Sequence, residues 1–155
     1  MRAFKAIALT CVCIALASCG TSGVQNAELA TSVVPKTSAR LKITRTNDFL
    51  YVGTAASVEV NGKKVTDIAA GGTTYIDVPA GRKATVAVYS WSYPGKFSLN
   101  IKAKPGARYT VEISPREESF VANAVLGIAG AIIDASVNEN GGAFKLRFLG
   151  RSRTS

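Results

Sequence analysis

Apolar and polar residues alternate in short runs along most of the chain between residues 40 and 113. In one such run Phe97, Leu99 and Ile101 alternate with polar residues. A repeat of two residues predicts a β-strand with one buried face. Turns such as Pro79-Ala80-Gly81 and Pro105-Gly106 separate the runs about every ten residues. This spacing favours a mainly β fold, an antiparallel β-sandwich of about seven to nine strands.

The clearest local prediction is a β-hairpin over residues 57–65. Its centre, Asn61-Gly62, favours a two-residue type I′ turn because both residues tolerate a positive φ. The corresponding register places Val60 opposite Lys63 and Val58 opposite Val65, so that one face of the hairpin is apolar.

The segment 119–137 departs from this alternation. Its first fifteen residues, 119–133, carry no charge, and a helical repeat gathers their branched side chains into one stripe. This stripe consists of Val121, Val125, Ile128 and Ile132. We therefore expect one apolar helix or helical hairpin, packed on the sandwich because it is shorter than the roughly twenty residues of a membrane span. Gly127 and Gly130 lie on the opposite stripe and indicate either a bend or a close contact with a partner, including a second copy.

The N-terminus has the order of an export signal. Arg2 and Lys5 precede an apolar stretch at 6–17, and the tetrapeptide Leu16-Ala17-Ser18-Cys19 follows. This tetrapeptide resembles the lipobox of bacterial lipoproteins. The resemblance implies cleavage between Ser18 and Cys19 and attachment of lipid to Cys19. The alternatives are an ordinary signal peptide, or an uncleaved anchor, that happens to contain cysteine.

Four parts of the chain follow from these patterns. They are a signal peptide at 1–18, a lipidated N-terminus and flexible tether at 19–38, a sandwich domain at 39–149 and a basic tail at 150–155. The tether is assigned because its residues are mostly small or polar and lack a sustained repeat. Gly20, rather than aspartate, follows the lipidated cysteine, which in the lipoprotein resemblance implies delivery to the outer membrane, facing the periplasm.

Composition argues against an enzyme. The chain has no histidine. The lipoprotein resemblance implies that Cys11 and Cys13 leave with the signal and that Cys19 is used for lipid. The usual general base and the cysteine nucleophile are thus missing from the mature chain. The ten acidic residues are scattered, and of these only Glu117 and Glu118 are adjacent. We expect no catalytic activity, no metal and no cofactor.

The charge balance favours an anionic neighbour. The formal charge is +9, and removal of the signal leaves 17 basic against 10 acidic residues, or +7. In an envelope this favours lipid phosphates or acidic cell-wall polymer rather than nucleic acid. Lys96, Lys102 and Lys104 share the outward face of one predicted strand and Arg108 begins the next, so these four are candidate contacts with an anionic surface. The alternative is a solvated surface that keeps the protein soluble.

Three aromatic residues recur at alternate positions. Tyr89, Trp91 and Tyr93 would share one face of an extended strand. If exposed, their rings form a platform for a sugar or a partner protein, because flat rings bury large areas at little rotamer cost. If they pack beneath the C-terminal segment, they belong to the core.

Three matching stretches lie between residues 58 and 113. They are the hairpin Val-Asn-Gly-Lys-Lys, the strand end Asp77-Val78-Pro79-Ala80-Gly81 and the run Ala84-Thr85-Val86-Ala87-Val88. Together they resemble the PEGA-like, or transthyretin-like, β-sandwich domains of envelope lipoproteins. The signature tetrad is here Pro79-Ala80-Gly81-Arg82, which keeps the proline and the glycine. The resemblance implies an all-β, non-catalytic module for display or contact.

These patterns lead to one expectation about function and one alternative. We expect a non-enzymatic, lipid-anchored structural or protein-interaction module at the periplasmic face of the membrane. The alternative is a module that binds glycan or cell wall through an exposed aromatic strand.

Overall fold

The computed structural model of the chain describes residues 23–118 and 140–153, which form nine β-strands and one short helix. The strands are β1 (Val24–Gln25), β2 (Ser38–Arg45), β3 (Ala56–Val60), β4 (Lys63–Ile68), β5 (Thr73–Pro79), β6 (Lys83–Ser90), β7 (Tyr93–Lys102), β8 (Ala107–Pro115) and β9 (Phe144–Arg153), and the helix is α1 (Glu28–Thr31). The prediction of a mainly β fold is confirmed. The helix predicted over 119–137, with Gly127 and Gly130, lies outside the described residues.

The strands form two sheets. The first has the order β1-β5-β2-β8-β9 and the second β4-β3-β6-β7. Most neighbours are antiparallel, but β1 runs parallel to β5 and β2 runs parallel to β8. The β2/β8 pair joins strands that lie far apart in the sequence, as a parallel pair requires a long connection.

Buried apolar side chains from both sheets form one cluster. Along β8 buried and partly buried residues alternate without interruption, as the two-residue repeat predicts. Leu41, Val58, Val86 and Val111 are fully buried. Each side chain of this kind contributes about 1.5–3 kcal/mol when it leaves water.

The hairpin between β3 and β4 differs from the prediction at one point. Asn61 and Gly62 have φ values of 53° and 79°, as a type I′ turn requires, and Val60 lies opposite Lys63. Beyond Glu59 the register shifts, and Val58 lies opposite Thr66. The predicted pair of Val58 and Val65 is wrong because Val65 is the extra residue of a β-bulge, and its side chain is 40% exposed.

The segment 23–37 is not a free tether. β1 adds to the edge of β5, and the side chains of Arg40 and Arg108 hold the backbone around α1. Arg108 donates to the carbonyls of Ala30 and Ser32, both at 2.6 Å. The predicted flexible tether is therefore wrong from Gly23 onward. Most residues of this segment are small or polar, and composition therefore does not reveal its order. The order comes from arginines distant in sequence, Arg40 and Arg108, whose side chains bind main-chain carbonyls.

The basic tail predicted at 150–155 also belongs to the fold as far as residue 153. β9 continues through Gly150, and Arg151 and Arg153 lie opposite Tyr109 and Ala107 of β8. The domain boundary predicted at residue 149 is therefore too early, because the basic residues 151 and 153 belong to strand β9.

The strands run between two ends of the molecule. At one end the N–H of Ala80 donates to the carbonyl of Thr37 (2.9 Å) and the N–H of Gly81 to that of Ala103 (2.8 Å). At the other end the N–H of Thr73 donates to the carbonyl of Gly23 (3.2 Å). The seven residues of β5 separate these ends by about 20 Å.

Candidate functional site

Among the residues that the structure describes, one end of the molecule gathers a set of exposed basic side chains. We call it the basic end, and it consists of the exposed residues Lys36, Arg82, Lys83, Lys102, Lys104, Arg151 and Arg153. They lie on the stretches 33–38, 79–84, 102–107 and 151–153, which contain no aspartate or glutamate. None of the seven forms an ion pair with a residue that the structure describes. Their charges therefore face solvent.

Neighbouring strands bring these charges together. Lys83 and Lys102 lie directly opposite each other in β6 and β7, where two like charges repel. The loop after β7 is fixed by Tyr109, whose hydroxyl donates to the carbonyl of Lys102 (2.8 Å) and accepts from the N–H of Lys104 (2.9 Å). The backbone at Lys102 and Lys104 is therefore fixed, and it cannot shift to separate the like charges of Lys83 and Lys102.

An open depression of about 500 Å³ lies beside these charges. Residues 33–36, Pro105 and Gly106 line it together with Arg153. It offers an apolar floor next to the cations Lys36 and Arg153. Its chemistry suits a ligand that carries acidic groups on a partly apolar frame.

The predicted anionic-surface contacts do not form one patch. Lys102 and Lys104 belong to the basic end. Lys96 instead pairs with Glu59 (2.6 Å), and its Nζ lies 5.2 Å from the ring centroid of Tyr89. The guanidinium of Arg108 is occupied by the carbonyls of Ala30 and Ser32.

Five residues of the basic end are not among the predicted contacts with an anionic surface. They are Lys36, Arg82, Lys83, Arg151 and Arg153. The sequence does place Arg82 and Lys83 directly after the turn at 79–81, just as it places Lys104 directly before the turn at 105–106. Finding the whole set requires knowing that the β5–β6 and β7–β8 connections share one end.

The aromatic residues 89, 91 and 93 do not form a row on one strand. β6 ends at Ser90 and β7 begins at Tyr93, so that Trp91 and Ser92 form the turn between them. Trp91 is 82% exposed, whereas Tyr93 is 3% exposed and packs edge-on against Tyr51, with ring centroids 6.1 Å apart. The predicted shared face is wrong because the chain reverses within it, and Tyr93 belongs to the core.

Trp91 lies at the end opposite the basic end, among other exposed apolar side chains. We call this the apolar end, and it consists of Val24, Phe49, Val52 and Trp91. The segments 23–26, 46–55, 69–72, 90–95 and 140–143 meet here and include a single charged residue, Asp48. Among the described residues, further charges flank these segments at Lys96 and Lys145 and follow β8 at Arg116, Glu117 and Glu118.

A buried arginine holds the largest loop of the apolar end. Arg45 is 1% exposed, and its guanidinium donates to the carbonyls of Thr54 (2.5 Å), Tyr51 (2.7 Å) and Ile68 (3.0 Å). It also stacks over the ring of Phe144, 4.6 Å from the centroid. Burial lowers the pKa of Arg45. Its contacts make it a scaffold for the loop 46–55.

The titrating pair Lys64 and Asp67 is a structural contact of the bulged strand. Their side chains lie 2.8 Å apart, and Ser57 donates to the Asp67 carboxylate at 2.6 Å. Burial acts to raise the pKa of Asp67, but the hydrogen bonds from Lys64 and Ser57 outweigh it, so that the pKa is lowered. The hydrogen bond to Asp67 raises the pKa of Lys64.

Two further observations concern the described ranges 23–118 and 140–153. No group of three His, Cys, Asp or Glu side chains there has the geometry to hold a metal ion. No helix in those ranges has the length and apolar character of a membrane span.

Ser18 and Cys19, the predicted cleavage and lipidation sites, lie outside the described residues. Neither a protein-family model nor a curated protein sequence matches this chain.

Proposed function

We propose that the chain is a lipid-anchored, non-enzymatic protein of the bacterial envelope, held at the periplasmic face of the outer membrane. The order of charged, apolar and small residues before Cys19 supports the anchor. The absence of histidine from the sequence and the use of Cys19 for lipid support a role other than catalysis. In this proposal the protein acts as an interaction module.

We also infer that the two sheets form a PEGA-like β-sandwich. The buried cluster supports this, because it includes Leu41 and Val111 of one sheet and Val58 and Val86 of the other. The apolar helix over 119–137 remains a prediction of the sequence.

The basic end is the observation that carries the interaction role. Seven exposed cations lie there without an acidic neighbour in the sequence stretches that bear them. Lys83 and Lys102 repel each other across the β6–β7 pair. An anionic partner relieves this repulsion on binding, so we propose that the basic end binds an acidic partner in the envelope.

Paired charge-reversal variants test this proposal. One variant of the chain 20–155 carries Lys83→Glu, Lys102→Glu and Lys104→Glu at the basic end. The control carries Lys42→Glu, Lys145→Glu and Arg147→Glu, which are exposed positions outside the basic end with the same total change in charge. Each is incubated with isolated cell wall and, separately, with solubilised envelope proteins at low and physiological salt.

The basic-end variant should lose retention while the control keeps most of it, and retention of the unmodified chain should fall as salt rises. Retention on the wall identifies an acidic polymer, and retention by proteins identifies an acidic protein. Equal retention of the two variants would contradict the proposed surface.

A further inference from the structure

We propose that the apolar end is a membrane-contact surface, seated in the headgroup region of the bilayer that holds the anchor. The basic end then points away from that membrane. This inference rests on the proposed lipidation of Cys19, and it assigns to Phe49, Val52 and Trp91 a role distinct from that of the basic end.

The position of the chain entry supports this orientation. Only residues 20–22 separate Cys19 from Gly23, and four Cα steps span at most about 14 Å. The carbonyl of Gly23 accepts from the N–H of Thr73 at 3.2 Å, at the apolar end. A lipid on Cys19 therefore brings this end, rather than the opposite one, against the bilayer.

The exposed side chains have the chemistry of a membrane interface. Phe49 is 87% exposed, Trp91 82% and Val52 54%. Tryptophan is favoured at the level of the headgroups, where its apolar rings and its polar N–H both find partners. Phe49 and Val52 add apolar surface at the same end. Exposure of these apolar side chains to water is unfavourable. Contact with lipid removes their apolar surface from solvent and so lowers the free energy.

The two loops that carry these side chains are joined and fixed. The turn at Trp91-Ser92 is held by a hydrogen bond in which the N–H of Ser92 donates to the Ser90 hydroxyl at 3.1 Å. The hydroxyls of Thr54 and Ser92 lie 3.4 Å apart and link the turn to the loop 46–55. That loop is held from below by Arg45. Phe49 and Trp91 thus project from a pre-formed surface.

In this orientation the basic end lies beyond the electrostatic reach of the membrane that holds the anchor. The basic end lies about 20 Å from Gly23 along β5. This separation is more than twice the Debye length of about 8 Å at physiological salt. The lysines at the basic end are therefore screened from the lipid phosphates of the membrane that holds the anchor, and they remain available to a separate partner.

The single tryptophan of the chain provides the measurement. Full-length lipidated protein is reconstituted into vesicles of neutral phosphatidylcholine, with and without brominated lipid, and separated by flotation. Trp91 emission should be quenched by the brominated lipid and protected severalfold from acrylamide relative to the lipid-free chain 20–155. Because the lipid is neutral, added salt should leave the quenching unchanged.

A matched pair of variants makes the test specific. Phe49→Glu introduces a charge into the apolar end and should reduce quenching by brominated lipid. Leu149→Glu, at a half-exposed position on β9, makes the same kind of change elsewhere and should leave it intact. Equal quenching in the two variants would overturn the proposal.

The outcomes also separate this inference from the proposed anchor. Protein that floats with the vesicles but keeps an acrylamide-accessible Trp91 would overturn the orientation and leave the anchor standing. Protein that fails to float and carries no lipid would overturn both.

Discussion

Arg40 and Asp77 form a two-pronged ion pair across β2 and β5, with Nε and Nη2 of the arginine 2.7 and 2.8 Å from the two carboxylate oxygens. Arg40 is 2% exposed, and its remaining nitrogen donates to the carbonyls of Leu29 and Ser32 and to the Ser32 hydroxyl. The hydrogen bonds to Asp77 raise the pKa of Arg40. One side chain therefore fastens α1 to the first sheet.

Replacing this arginine should destabilise the protein strongly. Arg40→Met leaves three oxygen acceptors and the Asp77 carboxylate without their partner, which should cost about 3 kcal/mol in unfolding free energy. Urea denaturation measures the loss, and limited proteolysis should show new cleavage near residues 28–33. The control is Arg147→Met, because Arg147 is 68% exposed in its pair with Glu112 and should cost less than about 1 kcal/mol. Equal costs would contradict the assigned role of Arg40.

A close approach of two glycines should be sensitive to a single methyl group. Gly95 has a φ of 105°, and a Cβ there would lie 2.4 Å from the backbone nitrogen of Gly142. Gly95→Ala should therefore destabilise the protein by about 2 kcal/mol, because neither backbone has room to yield. At Gly53 an added Cβ meets nothing within 4 Å, so Gly53→Ala should change the urea midpoint little. A neutral effect at Gly95 would mean that the 140–143 segment does not pack there.

The Lys64–Asp67 pair should give a small acid-labile contribution to stability. The folded pKa of Asp67 is lowered from 3.8, so the contribution is present above that pH and is lost as the pH falls through the folded value. The side chains are 49% and 40% exposed, which limits the contribution to less than about 1 kcal/mol. The pKa of Lys64 is raised from 10.5, so its share is lost only as the pH rises above that value.

Asp67→Asn tests this linkage. The difference in unfolding free energy between the unmodified protein and the variant should shrink as the pH falls from 5 to below 3.8. A difference that stays constant over this range would show that Asp67 acts through packing instead of charge.

Removal of the Cys19 thiol should abolish the proposed anchor. Cys19→Ser should eliminate labelling by radioactive palmitate and leave uncleaved precursor, because the lipid is attached to the sulfur. Two or three acyl chains, at about 0.8 kcal/mol per buried CH₂, hold a protein to a membrane where one chain does not. Unchanged processing would point to an ordinary signal peptidase.

The parts of the fold that depend on local rules could be predicted from the sequence. The alternation along β8 and the Asn61-Gly62 turn are examples, because side-chain direction and φ preference act over a few residues. The turn at Trp91-Ser92 was missed because it lacks the glycine, proline or asparagine that usually marks one. The bulge at Val65 was missed because one extra residue leaves the apolar pattern almost unchanged.

The remaining features of the fold depend on contacts between residues that are far apart in the sequence, and local patterns do not predict them. The order of residues 23–37 depends on Arg40 and Arg108, whose side chains meet that segment only once β2 and β8 are paired. The basic end depends likewise on which loops share an end of the molecule. Lys102 and Lys104 were found because they are neighbours in sequence, whereas Lys36 and Arg153 become neighbours only through the topology.

The outer strands of the two sheets bear on how copies of the protein behave when they are crowded. An unpaired strand edge invites another chain to add to the sheet, and charges and bulges discourage such aggregation. β4 has two lysines and the bulge at Val65, and β9 has Lys145, Arg147, Arg151 and Arg153. β7 is covered where the N–H of Ser98 donates to the Asn140 side chain at 2.9 Å. Confined to a plane at high local density, such copies repel one another edge to edge and resist fibre-like stacking.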